Sequence, residues 1–323
     1  MIEVDRLSKQ YGSIAAVDRL TFHVGRGEIV GLLGPNGAGK TTTMRMLTTF
    51  LPPSSGRARL AGHDVLDEPL QVRRQVGYLP ESVPLYLEMR VREYLTYRAK
   101  LRDVPGRRRR AAIDYVLTRC GLTDVQHRIL GQLSKGYRQR VGLADSMVHD
   151  PDILILDEPT AGLDPVQVRE VRALIRELGD RHTIILSTHI MSEVEAVCSR
   201  VIIIARGRLQ VDEPLERLQS EHSLVVEVRG HVETAKTVIE GVKGVVKTRV
   251  VDRSEDAATF DIKLDNDSDP AEQIAERLIK AGLGVRRLQP RRSSLEDRFI
   301  EAVGQANLES DANVVEISPA GAA

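Results

Sequence analysis

The sequence contains very little aromatic material. Phe, Trp and Tyr make up only 3% of the 323 residues, and Trp is absent. Because proteins that bind single-stranded nucleic acid stack bases on aromatic side chains, the composition argues against such a platform, and we expect no nucleic-acid partner. Hydrophobic residues still amount to 41%, which is enough for an aliphatic core.

The sequence also lacks an excess of charge of either sign. Lys and Arg together number 46 and so do Asp and Glu, giving a formal net charge of zero. There is therefore no argument for bulk attraction to nucleic acid or acidic lipid. The basic run Arg107–Arg110 is open to two interpretations, a solvated helix face or a local contact with anionic lipid headgroups.

Cysteines and long apolar runs are equally scarce. Cys120 and Cys198 are far apart, and no signal peptide is recognisable, so we expect a reducing cytoplasm in which both are small buried hydrophobes. The most apolar segments, Ile153–Leu156 and Val201–Ala205, fall far short of the roughly 20 residues of a membrane-spanning helix. Work at a membrane would therefore require another chain to cross it.

The first two thirds of the sequence have the pattern of an α/β domain. From Met1 to about Leu209, short β-branched runs alternate with amphipathic stretches, which predicts a largely parallel sheet. Ile29–Leu33 reads as a strand, and Thr41–Leu51 reads as a helix ended by the prolines that follow it. Between Val83 and Asp150 the pattern is helical, so we predict a helical insert there.

The composition changes after Glu213. The segments that follow have the order β-α-β-β-α-β, which predicts a small ferredoxin-like α+β domain. The predicted strands are Leu224–Val228, Val245–Val251, Thr259–Leu264 and Val285–Leu288, and the predicted helices are Val232–Glu240 and Ala271–Ala281. We therefore predict a first domain over residues 1–215, an accessory domain over 220–303 and a disordered tail over 304–323.

A glycine-rich loop is the strongest chemical signal. It follows a predicted strand, opens a predicted helix and fits the pattern G-x-x-x-x-G-K-[ST]. Its backbone N–H groups and those of the helix start at Thr42 would point at phosphate oxygens, Lys40 would bind the β and γ phosphates, and Thr41 would ligate Mg²⁺. The loop consists of Gly34, Pro35, Asn36, Gly37, Ala38, Gly39, Lys40 and Thr41.

Two adjacent acids end a second apolar run. Asp157 and Glu158 follow Ile153–Leu156, and adjacent strand residues face opposite ways, so the two acids need not share a role. Asp157 is placed to hold Mg²⁺ through its water shell, because Mg²⁺ keeps several waters. Glu158 is the candidate base that polarises the attacking water. Together with the glycine-rich loop, the pair defines a phosphate-loop NTPase.

A further motif narrows the family. Leu133–Arg140 opens a predicted helix with Ser134 as its N-cap, which taken by itself is only a helix start. The segment lies upstream of the acidic strand, as the signature L-S-G-G-Q does in the ATP-binding-cassette (ABC) ATPases. The first 215 or so residues resemble that family. Here the signature reads Ser-Lys-Gly-Tyr, so the phosphate contacts implied by the resemblance are safest for Ser134 and Gly136, and Lys135 adds a cation.

The resemblance implies roles for four more residues. Tyr11 lies where the family stacks an aromatic ring on adenine, although it is also compatible with an ordinary exposed tyrosine. Asp164 lies in a segment resembling the D-loop, which contacts the partner subunit. His189 resembles the switch histidine that contacts the γ-phosphate and would act with Glu158 and Lys40 in catalysis. Glu81 lies where the family's Q-loop has a glutamine that contacts Mg²⁺ and couples to the membrane subunits; the substitution keeps an oxygen ligand but introduces a negative charge.

The family resemblance also implies partners. ATP and Mg²⁺ would lie between two ATPase subunits, either a homodimer or a pair with a closely related chain, docked on separate membrane permease subunits at the cytoplasmic face. Arg292–Ile300 resembles the terminal S-L-E-D-x-F segment of ABC-2-type exporters of the drug-resistance kind. The phosphate-loop half and Gly77–Tyr86 resemble the gliding-motility type of that group. The alternative from another functional class is a soluble ABC ATPase that acts in DNA repair, translation or cluster assembly. A third possible function is that of a non-enzymatic, nucleotide-gated scaffold.

Overall fold

The computed structural model describes residues 1–220, 222–254, 256–265, 270–292 and 295–315. The chain divides into two compact units, Met1–Glu213 together with the residues from Phe299 onward, and Pro214–Arg298. The strands are β1 (Ile2–Tyr11), β2 (Ile14–Val24), β3 (Ile29–Leu33), β4 (Ser55–Leu60), β5 (His63–Asp64), β6 (Val76–Leu79), β7 (Ile153–Asp157), β8 (Thr183–Thr188), β9 (Arg200–Ala205), β10 (Arg208–Pro214), β11 (His222–Arg229), β12 (Val245–Arg253), β13 (Ala257–Leu264) and β14 (Gly284–Arg292). The α-helices are α1 (Lys40–Leu47), α2 (Pro69–Gln75), α3 (Val91–Leu101), α4 (Gly106–Arg119), α5 (Lys135–Met147), α6 (Pro165–Gly179), α7 (Met191–Val197), α8 (Leu215–Ser220), α9 (Val232–Glu240), α10 (Ala271–Lys280) and α11 (Leu295–Val315).

A six-stranded sheet forms the centre of the first unit, in the order β10-β9-β3-β8-β7-β6. Its neighbours from β9 to β6 pair in parallel. The sequence of β7 is apolar until its last residue, and every residue of the strand is buried, as expected for a parallel strand covered on both faces. The carboxyl ends of β3, β7 and β8 therefore meet at one edge of the sheet, where open α/β folds bind ligands.

A second, antiparallel sheet was not predicted. Its four strands have the order β2-β1-β4-β5, and β1 pairs antiparallel with both β2 and β4. The expectation of one largely parallel sheet from Met1 to Leu209 was therefore incomplete. The physical reason lies in the alternation of β1, where Ile2, Val4 and Leu7 are buried among exposed residues, because a strand with one solvated face suits an antiparallel sheet.

Residues 83–150, all of which the structure describes, contain α3, α4 and α5, two short 3₁₀ turns and no strand. The only pairing of extended backbone in this stretch is an isolated bridge between Arg90 and Ile129. Tyr94 and Leu95 of α3 are fully buried in the core that the insert shares with β7. The basic run occupies the first turns of α4, with Arg107, Arg108 and Arg110 exposed.

Helix α1 ends earlier than predicted. It spans Lys40–Leu47, whereas the sequence suggested Thr41–Leu51 with the following prolines as the stop. The Thr48 hydroxyl donates to the carbonyl oxygen of Met44 at 2.9 Å, and Thr49 has a left-handed φ of 60°. The helix therefore ends at Leu47, with Thr48 as its cap, several residues before the prolines.

The second unit has the predicted β-α-β-β-α-β order, preceded by α8. Its antiparallel sheet is ordered β12-β13-β11-β14, which is the ferredoxin-like arrangement, and all four strands run longer than the sequence suggested. Phe260 of β13, Val226 of β11, Ile239 of α9 and Ile274 of α10 are fully buried in its core. The helices therefore cover the sheet with their apolar faces.

The C-terminal segment corrects one prediction. The tail 304–323 was expected to be disordered, but residues 304–315 continue α11, while 316–323 lie outside the described residues. This stretch of α11 contains no proline that would end the helix, and Ala306 within it is buried. Of the segment resembling the exporter terminus, residues 293 and 294 are outside the described residues, and Leu295–Ile300 opens α11. In the described ranges, no helix combines the length and the apolar character needed to cross a bilayer.

Candidate functional site

The glycine-rich loop joins β3 to α1 at the carboxyl edge of the parallel sheet. Two of its glycines are required by sterics. A Cβ on Gly34 would lie 2.3 Å from the carbonyl oxygen of Ile204, and Gly39 combines a φ of 102° with a Cβ position 2.6 Å from the carbonyl oxygen of Ala16. The loop can therefore curl tightly only with glycine at these two positions.

A cavity of about 570 Å³ opens at this loop. Segments that are far apart in sequence line it, and it brings together most of the residues predicted to act on a nucleotide. Its lining consists of Ala16, Asn36, Gly37, Ala38, Gly39, Lys40, Thr41, Thr42, Glu81, Glu158, Ala161 and His189.

Lys40 brings a positive charge into the cavity. Its Nζ donates hydrogen bonds to the carbonyl oxygens of Gly34, at 2.7 Å, and Pro35, at 3.2 Å. Burial lowers the pKa of Lys40, and the nearby carboxylates, Glu158 foremost, oppose that shift. The ammonium group is thus held inside the curve of the loop. An incoming anion would have to share it with the acidic groups nearby.

Asp157 ends β7 and is completely buried. Its Oδ1 accepts a hydrogen bond from the Ser187 hydroxyl and lies 3.4 Å from Oγ1 of Thr41, while its buried Oδ2 has no hydrogen-bond partner in the described part of the chain. Burial raises the pKa of Asp157, although the hydrogen bonds from Ser187 and Thr41 oppose the rise. An unpaired buried carboxylate oxygen is costly, and hard cations such as Mg²⁺ take oxygen ligands, so this corner of the cavity fits a magnesium ion.

The metal would depend on more than protein carboxylates. No cluster of three or more His, Cys, Asp or Glu side chains suited to a metal occurs within the described ranges. A site of this kind is typical of Mg²⁺ bound with a nucleotide, because that ion uses one or two carboxylates together with waters and substrate phosphates. The protein oxygens available for it are those of Thr41, Asp157 and Glu81.

Glu158 and His189 form a pair at the cavity wall. The Nδ1 atom of His189 lies 3.0 Å from both carboxylate oxygens of Glu158. Burial raises the pKa of the Glu158 carboxyl, and the hydrogen bond from His189 partly offsets this. The two acids do not simply alternate along a strand, because Glu158 lies just beyond β7 with a left-handed φ of 48°. Such backbone strain in a non-glycine residue is common at functional sites.

Seven of the predicted site residues do not line this cavity: Gly34 and Pro35 of the loop, Asp157 at the end of β7, and four residues elsewhere in the described part of the chain. Tyr11 is 50% exposed, and its ring centroid lies 5.6 Å from Nζ of Lys9. Ser134 caps α5, with its hydroxyl 3.4 Å from the backbone nitrogen of Tyr137. Asp164 caps α6 and accepts from two backbone N–H groups. Gly136 is the fourth.

The signature segment and the D-loop pack against each other. A Cβ on Gly136 would lie 2.1 Å from Oε1 of Gln167, and a Cβ on Gly162 would lie 2.1 Å from Nζ of Lys135. We call the surface formed by Ser134–Tyr137 and Gly162–Gln167 the signature face. A cavity of about 390 Å³ lies beside it, lined by Tyr137, Arg140, Asp164, Val166, Gln167 and Glu170.

Sequence reasoning missed Ser187. Its hydroxyl donates to Oδ1 of Asp157, and its carbonyl oxygen accepts the backbone N–H of Glu158 at 3.1 Å. The available signal was the polar run Ser187–His189 at the end of an apolar strand, which was used only to locate the histidine. Ser187 thus fixes the direction of both acids.

Comparison with known proteins agrees with this geometry. Residues 17–161 match the family model described as ABC transporter. The chain is also 34% identical to the uncharacterized ABC transporter ATP-binding protein YxlF of Bacillus subtilis (strain 168), over 94% of this chain and 99% of that protein. The chain therefore belongs to the ATP-binding proteins of ABC transporters.

Named relatives extend the similarity along nearly the whole chain. The bacitracin transport ATP-binding protein BcrA of Bacillus licheniformis is 32% identical, over 94% of this chain and 97% of that protein. The daunorubicin/doxorubicin resistance ATP-binding protein DrrA of Streptomyces peucetius is 33% identical, over 94% of this chain and 92% of that protein. Among solved structures, an ATP-binding subunit of an ABC transporter superposes with a TM-score of 0.63 at 30% identity, covering 68% of this chain and 92% of the other.

These findings confirm the family, fold and activity predicted from the sequence. The chain is the ATP-binding, ATP-hydrolysing subunit of an ABC transporter, built as an α/β cassette with a small α+β unit after it. Transport is favoured over the alternative of a soluble ABC ATPase. A subunit of this kind works with membrane partners and as a dimer.

Proposed function

We propose that this chain drives export through ABC-2-type permease subunits at the cytoplasmic face of the cell membrane. The observation that carries the proposal is the length of the match to BcrA and DrrA, which covers 94% of this chain and therefore includes the C-terminal unit. The name of DrrA, which refers to daunorubicin/doxorubicin resistance, favours removal of a compound from the cell over its uptake, whereas the name of BcrA refers only to bacitracin transport.

Within the cavity, each residue has a distinct task. Lys40 and the N–H groups of the loop would bind the triphosphate, and Thr41 and Asp157, with Glu81 nearby, would hold Mg²⁺. The metal would supply charge neutralisation for the phosphates. Glu158 orients the attacking water and accepts its proton, a role that its raised pKa suits. His189 lies 3.0 Å from the Glu158 carboxylate and would contact the γ-phosphate.

The remaining predicted residues act in a second subunit. Ser134, Gly136 and Asp164 belong to the signature face and are not among the residues that line the cavity of the same chain. In the proposed dimer, the signature face of one subunit closes over the nucleotide bound at the loop of the other, with a two-fold axis relating the copies. Tyr11 would stack on adenine at the outer end of the site.

A groove on the first unit supports docking onto a membrane protein. It has a volume of about 700 Å³ and combines exposed apolar side chains, including Phe50 at 74% exposure, with four arginines, of which Arg98 is paired with Asp145. The positive charge of the others would suit an acidic partner segment, although Arg74 also lies 3.7 Å from Asp103. The residues that carry this character are Phe50, Leu70, Leu101, Arg73, Arg74 and Arg102. Exposed apolar patches rimmed by charge are typical of protein interfaces.

Affinity purification from detergent-solubilised membranes tests the proposal. The tagged chain should isolate a polytopic membrane protein in fixed stoichiometry, and Leu101→Glu should lose it while keeping ATP hydrolysis in isolation. Cells that express both proteins should accumulate less daunorubicin or tolerate more bacitracin, unless Glu158→Gln is introduced. A chain recovered without a membrane partner would favour the soluble alternative.

A further inference from the structure

Glu193 is a buried acid that takes no part in lining the nucleotide cavity. It lies on α7, and its side chain is only 2% exposed. Burying a carboxylate is unfavourable unless it is paired and hydrogen-bonded, so its partners indicate what it does in the fold.

Both oxygens of Glu193 accept hydrogen bonds from threonines of different segments. The hydroxyl of Thr160 donates to Oε1, and the hydroxyl of Thr188 donates to Oε2 at 2.7 Å. Nη2 of Arg172 lies 3.8 Å from Oε1 and supplies a countercharge. The carboxylate therefore cross-links the turn after β7 to the end of β8.

Each threonine lies beside a residue of the proposed catalytic pair. Thr160 belongs to the turn that Ala161 closes with a hydrogen bond to the carbonyl oxygen of Glu158 at 3.0 Å. Thr188 directly precedes His189, and its hydroxyl accepts the backbone N–H of Ile190 at 3.0 Å. The two segments that Glu193 joins are thus the ones that deliver Glu158 and His189 to each other.

The conformation of the Glu158 and His189 pair requires hydrogen bonds that hold it in place. Glu158 has a left-handed φ of 48°, and a residue in that region keeps its conformation only when its surroundings hold it there. Hydrogen bonds to a buried charged acceptor are stronger and more directional than bonds between neutral groups. A shared carboxylate would fix both segments at once.

We propose that Glu193 is a positioning residue for ATP hydrolysis, which holds the Glu158 turn and the His189 segment in register through Thr160 and Thr188. The proposal rests on the proposed roles of Glu158 and His189. Glu193 is not in contact with the nucleotide in this assignment, so it should affect turnover and leave nucleotide affinity largely intact.

The test compares Glu193→Gln with Glu195→Gln, which removes an exposed carboxylate from the same helix. Glu193→Gln should lower kcat by about 10²-fold, because small displacements of reacting groups have effects of that size. The Kd for ATP should be unchanged. Glu195→Gln should match the wild type. In a His189→Ala background, the effect of Glu193→Gln should be much smaller than in the wild type, since the pair it aligns is already broken.

Thr160→Val and Thr188→Val provide a second route that keeps the buried carboxylate and the side-chain shape. Each should lower kcat with ATP affinity retained, and Thr188→Ser, which restores the hydroxyl, should recover it. Unchanged kcat in Glu193→Gln beside an impaired His189→Ala, or a fall in kcat matched by an equal fall in ATP affinity, would overturn the positioning role. Full hydrolysis by His189→Ala would instead overturn the catalytic pair of the proposed function.

Discussion

Helices α1 and α5 both begin at a motif predicted to bind phosphate, but their first turns are satisfied differently. At α1 the N-cap is Gly39, which makes no side-chain hydrogen bond to the helix, and the cavity opens directly onto the loop. At α5 the hydroxyl of Ser134 caps the backbone nitrogen of Tyr137 at 3.4 Å, and Lys135 lies against Gly162. The backbone N–H groups at an uncapped helix start are available to an anion. At a capped start, one of these N–H groups already donates to the capping side chain.

This contrast supports the proposed site shared between two subunits. The α1 end opens onto the cavity of its own chain, whereas the α5 end is capped by its own serine and does not line that cavity. In the proposed dimer, the long contact between Ser134 and the backbone nitrogen of Tyr137 would give way to contacts with phosphate oxygens of the nucleotide held by the other subunit. Four substitutions test whether the cavity binds the nucleotide and the signature face of a second subunit completes the site. They are given in order of decreasing expected effect.

The largest effect should follow from Glu158→Gln in the cavity. Loss of the base should reduce kcat by about 10²- to 10⁴-fold, while the amide keeps the volume of the side chain and ATP stays bound. If the signature face closes over that ATP, the variant should accumulate as a dimer in ATP and Mg²⁺, measured by size-exclusion chromatography with light scattering.

Glu195→Gln is the matched control for this variant, because it removes an exposed carboxylate from the same unit. It should hydrolyse ATP at the wild-type rate and show no trapped dimer. A Glu158→Gln chain that remains monomeric at saturating ATP would contradict the assignment of the two half-sites to two subunits.

Ser134→Asp should separate dimer formation from nucleotide binding. Aspartate is a good N-cap, so α5 should keep its start, but its negative charge would oppose the triphosphate held by the other subunit. Introduced into Glu158→Gln, it should weaken the ATP-dependent dimer by about 10²-fold, measured by analytical ultracentrifugation.

Thr118→Asp places the same charge on the exposed face of α4 and should leave the dimer intact. The monomer of the Ser134→Asp chain should bind ATP as the parent does. If its ATP affinity fell instead, Ser134 would belong to the site of its own chain.

Lys40→Ala should weaken the cavity itself. Charge-assisted contacts to phosphate are worth about 1.5–3 kcal/mol, so the Kd for ATP should rise about 10- to 100-fold in isothermal titration. Lys100→Ala removes an exposed lysine from α3 and should leave the Kd unchanged. Unaltered ATP affinity in Lys40→Ala would mean that the contacts of Lys40 to Gly34 and Pro35 only stabilise the loop.

The cavity was more predictable from the sequence than the signature face. Gly34–Thr41 is contiguous, and Asp157, Glu158 and His189 lie at or just after the ends of strands whose carboxyl ends must meet in a parallel sheet. The pattern of the second unit was equally readable, because its strands and helices alternate with short turns. In each case a local sequence pattern predicted the strand, helix or loop. A general rule of α/β or α+β folds then predicted its position in the fold.

Other features depend on contacts that no local pattern contains. The hydrogen bonds of Ser187 to Asp157 and of Glu193 to Thr160 arise only when separate segments meet. The antiparallel sheet requires β1 to lie between β2 and β4, although β4 follows 44 positions after the end of β1. The early end of α1 reflects the cap at Thr48, which competed with a helix-compatible sequence.

Lys135 offers the smallest and most discriminating test, since it departs from the glycine of the family signature. The sequence suggested a cation close to the nucleotide, whereas the side chain here lies against Gly162 of the same chain. If the signature face meets the triphosphate of a second subunit, this charge acts across the interface and through solvent, where single charges contribute up to about 1 kcal/mol. Lys135→Gln should therefore raise the ATP concentration needed for dimerisation of Glu158→Gln by about twofold to fivefold, with the difference vanishing at high salt. Lys100→Gln should show no such difference, and a salt-independent effect of Lys135→Gln would assign the lysine to packing against Gly162 rather than to phosphate.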